Sequence, residues 1–174
     1  MVSKAAITGT PGVGKTSVSQ ILKKEGFRIL DLNKFIHDKG LSRERDPCRD
    51  TYMVDIDEMI DLYSTAPYHD IVEGHLSHHL ELPITIVLRC SPQQLKKRMK
   101  SKGWSEKKKK ENLESEMLDV ILIEALEKDT EVYEIDTSYM NPEDVSQSVI
   151  DVLGGKTCPY EPGNVDWSEF IVQN

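Results

Sequence analysis

Short runs rich in apolar residues alternate with amphipathic stretches along the whole chain. Each run spans four or five residues between polar positions, a pattern typical of buried strands. These runs predict five strands, at 4–8, 27–30, 70–73, 84–88 and 131–135. Helical patterns separate them, and strands joined through helices favour an α/β fold with parallel strands. We therefore expect a central, mainly parallel five-stranded sheet that is flanked by helices.

Apolar residues that recur every three or four positions predict the intervening helices. These helices are expected at 15–24, 31–38, 55–63, 92–102, 106–128 and 142–153. Two segments lack this pattern. Residues 40–52 are polar and rich in charge, and a connection of this length between helices is usually a functional loop. The tail from residue 154 holds several glycines and prolines, and it either packs on the domain or binds a partner.

A glycine-rich sequence of the form G-x-x-x-x-G-K-T follows the first predicted strand directly. A strand, a glycine loop and a helix start in this order form an anion cradle, because backbone N–H groups point inward and the helix dipole adds positive charge. Lys15 adds a full charge, and the Thr16 hydroxyl is placed to bind Mg²⁺. The sequence thus predicts that a nucleoside triphosphate contacts Gly9, Pro11, Gly12, Val13, Gly14, Lys15, Thr16 and Ser17.

A carboxylate and an imidazole follow the third predicted strand. Glu73 and His75 leave the strand end on the same side, because side chains alternate along a strand. A P-loop needs a further acidic or water-holding group beside the phosphates. We predict that Glu73 holds a water on Mg²⁺ and that His75 positions a phosphate or a water. His78 and His79 have no partner that the sequence identifies, which disfavours a metal site there.

Positive charge is concentrated between residues 96 and 110, where nine residues are basic, although the chain has a net charge of −8. One interpretation is a solvated helix face. The other is a short lid from Arg98 to Lys110, with Gly103 as its hinge and Lys102 beside it. In that case Arg89 and Arg98 are expected to be mobile arginines that close over the charge developing in phosphoryl transfer.

Composition restricts the class of protein. The sequence contains no apolar stretch of membrane-spanning length and no signal peptide, and its widely spaced cysteines, Cys48, Cys90 and Cys158, favour reduced thiols in the cytoplasm. The acidic balance argues against non-specific nucleic-acid binding.

A GTPase is disfavoured because residues 33–36, Asn-Lys-Phe-Ile, lack the final aspartate of N-K-x-D. The size, the P-loop and the basic lid favour a small nucleoside-monophosphate-type kinase.

The chain resembles the small nuclear and archaeal adenylate kinases related to the coilin-interacting nuclear ATPase, which also act in ribosome assembly. Four sequence elements between about residues 4 and 153 carry the resemblance, namely 9–16, Glu73-Gly74-His75, 86–89 and 102–116. The resemblance implies a P-loop nucleoside-monophosphate-kinase-like fold that converts ATP and AMP to two ADP with Mg²⁺. It also implies a slow ATPase activity and a small-subunit ribosomal protein as partner during pre-ribosome maturation.

On this basis residues 1–153 form a P-loop kinase domain, in which 31–54 bind the monophosphate and 101–111 form the lid, and residues 154–174 form a tail. The predicted catalytic residues are Lys15, Glu73, His75 and Arg98. Thr16 and Glu73 are the expected metal ligands, and Lys102 and Asn141 are expected to contact ATP, the latter in a turn near the adenine. We expect a cytoplasmic monomer without membrane contact.

Three positions depart from the family pattern. Glu73 stands where aspartate is usual, Lys102 where arginine is usual, and His37 where related kinases place an arginine for the monophosphate. Arg43, Arg45 or Arg49 in the irregular loop are candidate substitutes for that arginine. Asp55 or Asp57 are candidates for contact with the acceptor. Two other functions therefore stay open: an ATPase-driven assembly factor with vestigial kinase activity, and a P-loop kinase for another small acceptor.

Overall fold

The computed structural model describes residues 4–46 and 51–171. All five predicted strands are present, within two residues of their expected bounds, and two further strands occur in the segment expected to be a loop. The strands are β1 (Ala5–Thr8), β2 (Ile29–Asp31), β3 (Ser42–Asp46), β4 (Thr51–Val54), β5 (Ile71–Glu73), β6 (Ile84–Arg89) and β7 (Glu131–Asp136). The α/β prediction is thereby confirmed.

The helices follow the predicted order, with one of them divided in two. They are α1 (Lys15–Lys24), α2 (Leu32–Asp38), α3 (Ile56–Tyr63), α4 (Pro92–Met99), α5 (Glu106–Met117), α6 (Val120–Leu126), α7 (Pro142–Leu153) and α8 (Ser168–Ile171). Short 3₁₀ turns occur at Ser77–Leu80 and Cys158–Tyr160. Among the described helices, none has the length and apolar character needed to traverse a lipid bilayer.

The central sheet has the strand order β2-β5-β1-β6-β7, and all of its neighbouring strands run parallel. Both of its faces are covered. Ile7 of β1 packs with α1 and α7 on one face, and its neighbour Ala6 packs with α2 and α3 on the other. The chain leaves β1 towards β2 on one side and later continues to β6 on the other. Parallel sheets bind ligands at the carboxyl ends of strands around such a switch point.

Three predictions about the elements need correction. The segment 40–52 was expected to be an irregular loop, but its described residues include β3 and the start of β4, which pair antiparallel with Ser42 opposite Val54. Arg43 and Arg45 lie on β3, and Arg49 lies outside the described residues. The helix expected to reach residue 102 ends at Met99.

The long helix expected at 106–128 is interrupted at Asp119. This residue adopts a left-handed backbone with φ of 54° between the end of α5 and the start of α6. Its carboxylate accepts a hydrogen bond from the buried Arg89. A tertiary contact therefore overrides a local sequence that favours a continuous helix.

The tail packs on the domain. The Gly163 amide donates to Glu134 Oε2 at 2.9 Å, and Trp167 Nε1 donates to Glu116 Oε1 at 3.3 Å. Of the two roles that the sequence left open for this segment, the structure supports packing against the domain.

Candidate active site

One cleft of about 500 Å³ opens at the carboxyl ends of β1, β5 and β7. The glycine loop after β1 forms its floor, and the lid segment after α4 forms part of its wall. It is lined by Pro11, Gly12, Val13, Gly14, Lys15, Thr16, Ser17, Val18, Asn33, Glu73, His75, Arg98, Lys102, Trp104, Thr137, Met140, Pro142 and Val145. The structure therefore brings together most of the residues that the sequence predicted for the site.

The glycines of the loop are required by its backbone. Gly9 has φ of 134°, and a Cβ there would lie 2.3 Å from the carbonyl oxygen of Leu88, so the loop starts pressed against β6 rather than lining the cleft. Gly14 has φ of 116° and is the N-cap of α1. Because glycine has no side chain to cap the helix, the first N–H groups of α1 are left for a bound anion.

Lys15 is buried at the base of the loop. Its Nζ donates to the carbonyl oxygens of Gly9 at 2.5 Å and Thr10 at 3.2 Å. Burial lowers the pKa of Lys15 to about 8, and the nearby carboxylates of Glu73 and Glu116 oppose that shift. The amine thus carries a positive charge at neutral pH, in a place where a phosphate would be the natural counterion.

Thr16 and Glu73 bring two oxygen groups together beside Lys15. The Thr16 hydroxyl donates to Glu73 Oε1 at 3.4 Å, and Glu73 is buried. Burial raises the pKa of Glu73, and the charge of Lys15 acts against that shift. A hydroxyl and a carboxylate that face one cleft form the kind of donor set that Mg²⁺ prefers, so the residues present fit this ion.

His75 is a neutral imidazole on the cleft wall. Burial, together with the charges of Lys15 and Lys108, lowers its pKa to about 4. Among the described residues no hydrogen-bond partner is found for its ring, so both nitrogens are left for a substrate or a water. The predicted placement of Glu73 and His75 on one side of the β5 end agrees with this geometry.

Arg98 is held in place. Its guanidinium donates to the carbonyl oxygens of Val13 (2.8 Å) and Thr137 (2.5 Å) and to the Thr137 hydroxyl (3.0 Å), and it also contacts Ser138 O. It lines the cleft as expected, but its hydrogen bonds fix it between the glycine loop and the turn after β7. The mobility predicted for it does not fit this set of bonds.

Arg89 does not reach the cleft, and the prediction that it closes over the site is wrong. It is 2% exposed, and its guanidinium contacts the carboxylates of Glu116, Glu134 and Asp119. Burial opposes its charge, but these carboxylates raise the pKa of Arg89 above its usual range. Its role is structural: it ties β6 to α5 and β7.

The cleft lining also includes Trp104, which the sequence analysis did not assign to the site, together with the expected Lys102 and residues of the turn expected near the adenine. Trp104 lines the lid side, with Lys108 Nζ 5.7 Å from the centre of its ring, and Lys102 lies beside it. Thr137 and Met140 belong to the turn expected near the adenine. Two features of the sequence could have indicated these contacts: an aromatic residue inside the predicted lid and apolar residues in that turn.

Asn141 and His37, like Gly9, lie outside the cleft lining. Asn141 caps α7, because its Oδ1 accepts the Asp144 amide hydrogen at 2.8 Å, while its neighbours Met140 and Pro142 line the cleft. His37 lies on α2 with 83% of its side chain exposed, 3.6 Å from Asp38. The position at which related kinases place a monophosphate-binding arginine therefore faces solvent in this structure.

Comparison with known proteins places these features in a family. Residues 6–119 match the family described as AAA domain. A "putative adenylate kinase" of Archaeoglobus fulgidus is 43% identical over 168 residues, covering 93% of this chain and 90% of that protein. One of Methanothermobacter thermautotrophicus is 40% identical over 169 residues, covering 95% of this chain and 98% of that protein.

Solved structures show the same fold at low identity. An unliganded sugar kinase from Janibacter sp. HTCC2649 has a TM-score of 0.59 and 17% identity, over 88% of this chain and 95% of that chain. Shikimate kinase from Bacteroides thetaiotaomicron has a TM-score of 0.59 and 16% identity, over 87% of this chain and 98% of that chain. These likenesses show a P-loop kinase fold and nothing finer.

Proposed function

Since the chain belongs to the family of archaeal proteins named "putative adenylate kinase", we propose that it transfers the γ-phosphoryl group of ATP to AMP and forms two ADP. The observation that carries the proposal is the convergence of Lys15, Thr16, Glu73 and His75 on one cleft whose floor is a glycine loop. The relatives support an adenine nucleotide as donor and acceptor, and the cleft supports phosphoryl transfer as the reaction.

The loop and Lys15 bind the phosphates in this proposal. The N–H groups at the start of α1 and the Lys15 ammonium face the developing negative charge, and they are in place before the substrate arrives. Thr16 and Glu73 would hold Mg²⁺, which neutralises charge on the transferred group when it is bound. Preorganised donors of this kind are the main means by which proteins accelerate phosphoryl transfer.

His75 positions the attacking group. Its neutral ring can accept a hydrogen bond from an acceptor oxygen at one nitrogen and donate at the other. Arg98 fixes the turn after β7 against the glycine loop, which preserves the shape of the cleft. Lys102 and Trp104 close the lid side and limit the access of water to the phosphates.

A second activity, ATP hydrolysis, is favoured by the same histidine and by His37. Because the His75 ring has no hydrogen-bond partner among the described residues, it can orient a water as well as an acceptor. His37 faces solvent, so the cleft lacks the arginine expected for AMP at that position. We propose that hydrolysis accompanies transfer, and that ATP and Mg²⁺ serve both reactions.

The most specific part of the proposal is a role in small-subunit ribosome maturation, with a small-subunit ribosomal protein as partner. The sequence elements 9–16, 73–75 and 102–116 support it through their resemblance to nuclear adenylate kinases that act in ribosome assembly. The measurement is ATP turnover with and without a purified small-subunit ribosomal protein. A turnover rate that no such protein changes would contradict this role.

The kinase proposal is tested by measuring ATP consumption with and without AMP. We expect AMP to accelerate consumption, and the ADP formed in excess of the inorganic phosphate released to be twice the amount of AMP used. If AMP has no effect while ATP is still hydrolysed, the kinase proposal fails and the ATPase proposal stands. If another small acceptor accelerates consumption where AMP does not, the chain is a P-loop kinase for that acceptor.

A further inference from the structure

A pair of histidines and a glutamate come together behind the glycine loop, outside the cleft. His78 and His79 lie on the 3₁₀ turn Ser77–Leu80, and Glu124 lies on α6. One possible ligand atom from each residue lies within 4.8 Å of the other two. Glu124 is distant in sequence from the two adjacent histidines, and the packing of α6 against the turn brings it beside them.

His78 is the buried member of the group, with 1% of its side chain exposed. Its Nδ1 lies 3.0 Å from Thr8 Oγ1, and its Nε2 lies 3.0 Å from Glu124 Oε2. Histidines that bind metals usually have one ring nitrogen hydrogen-bonded to a protein group, which fixes the tautomer and directs the other nitrogen at the ion. Thr8 is such a group.

The hydroxyl of Thr8 has only one proton to share. Its Oγ1 is also 3.3 Å from the carbonyl oxygen of His75. When the hydroxyl donates to that carbonyl, it accepts from the Nδ1–H of His78, and the Nε2 lone pair then faces the Glu124 carboxylate. Two facing acceptors at 3.0 Å repel each other unless a proton or a metal ion lies between them, and a metal ion is compatible with this tautomer. The other tautomer, with Nε2–H donating to Glu124, requires no ion.

The third residue completes a set of donors that is open to solvent. The rings of His78 and His79 are 4.0 Å apart between centroids, so that both imidazoles lie beside the Glu124 carboxylate. The Glu124 side chain is 43% exposed, which gives an ion a path of entry. Tetrahedral zinc ligands lie about 3.4 Å apart. The ligand atoms here lie within 4.8 Å of one another, so the partly exposed side chains of His79 and Glu124 need to move only slightly to bind the ion.

We propose that His78, His79 and Glu124 bind one Zn²⁺ ion, with water as the fourth ligand. Two imidazoles and a carboxylate are the donors that zinc accepts, whereas Mg²⁺ prefers oxygen alone, which separates this site from the Thr16–Glu73 pair. Lys128 lies close enough to disfavour a cation, but its ammonium is 3.3 Å from Glu81 Oε1. The bound ion would fasten α6 to the turn after β5, next to Thr8 at the base of the glycine loop.

The test uses the full chain, stripped of metals with a chelator and titrated with Co²⁺ as a spectroscopic substitute for Zn²⁺. We expect one Co²⁺ per chain, a tetrahedral absorption spectrum, displacement by one equivalent of Zn²⁺ and no displacement by Mg²⁺. His79→Gln and Glu124→Gln each remove one ligand at a partly exposed position. Each should weaken binding by at least about tenfold and abolish the tetrahedral spectrum.

Two matched controls separate the site from adventitious binding. His37→Gln removes an exposed histidine on α2, and Glu127→Gln removes an exposed carboxylate at the end of α6. Both should bind Co²⁺ as the unaltered chain does. The proposal is overturned if the unaltered chain binds no Co²⁺, or if both ligand variants retain its affinity and spectrum.

Discussion

Thr10 of the glycine loop donates a hydrogen bond of 2.5 Å to Glu116 of α5, and both side chains are buried. The same carboxylate accepts hydrogen bonds from Arg89 Nε, the Cys90 amide and Trp167 Nε1. One side chain therefore joins the loop that would bind phosphate to β6 and to the tail. The position of the loop depends on a residue more than a hundred positions further along the chain.

Replacing Glu116 should damage both stability and nucleotide binding. Glu116→Ala leaves Arg89 with less compensation for its buried charge and leaves the Thr10 hydroxyl without its acceptor, so we expect a loss of about 3 kcal/mol in the free energy of unfolding. Urea denaturation measures this loss. Glu114→Ala, on the exposed side of the same helix, removes only a surface pair with Lys110 and should cost less than about 1 kcal/mol. Equal effects of the two substitutions would contradict the network.

Removal of the Lys15 amine should stop turnover while the fold is retained. Lys15→Ala deletes the ammonium at the base of the glycine loop, and we expect a loss of at least about 100-fold in kcat, the scale for one preorganised charge in an active site. ATP turnover is the measurement. Lys24→Ala, at the exposed end of the same helix, should keep its activity. Full activity of Lys15→Ala would show that the cleft is not the active site.

Substitution of His75 should separate chemistry from binding. Because its ring lies on the cleft wall and is free to position an acceptor or a water, His75→Ala should lower kcat by about 100-fold, and the ATP dissociation constant should change much less. Single-turnover kinetics and equilibrium nucleotide binding measure the two quantities. Equal losses in both would show that His75 supports the shape of the cleft instead.

The buried histidines should make stability fall in mild acid. The pKa of His75 is lowered to about 4 and that of His78 to about 3, both below the value of about 6.5 for an unfolded histidine. The unfolded chain therefore binds more protons between pH 6.5 and pH 4, and stability is lost as the pH falls through that window.

Between pH 7 and pH 5, in the presence of a chelator, we expect the free energy of unfolding to drop by about 2–4 kcal/mol. Glu73, whose pKa is raised, opposes part of this drop. Urea titrations at several pH values measure the slope, and His75→Gln should reduce it. A slope that His75→Gln leaves unchanged would contradict a buried neutral imidazole at this position.

The sheet and the glycine loop follow from the sequence because both depend on local patterns. The central strands are buried on both faces, so their apolar runs identify them, and the spacing of Gly9, Gly14 and Lys15 defines the loop. The bend at Asp119 does not follow, because local helix propensity continues through it and only the contact with Arg89 breaks it.

The sequence did not identify the charged partners of Arg89 either. Glu116 and Glu134 lie 27 and 45 positions away, and their sequence context is that of ordinary exposed acids. An arginine at the end of a strand beside a phosphate loop is consistent with either catalysis or structural support. Only the packing of α5 and β7 around it distinguishes the two. Trp104 was missed for a related reason: periodicity shows which face of a helix is buried but not which loop residue faces a cleft.

The bend at Asp119 also separates a long helix that begins beside the cleft from a short one that packs on the sheet. On the cleft side of the bend, α5 is a rigid rod of twelve residues, about 18 Å long, that begins just after Trp104. On the other side, α6 packs against β6 through Leu122 and Ala125. The contacts of Asp119 with Arg89 and of Glu116 with Thr10 hold the bend end of this rod in place. A rotation of about 6° about that end would displace the opposite end, next to Trp104, by about 2 Å.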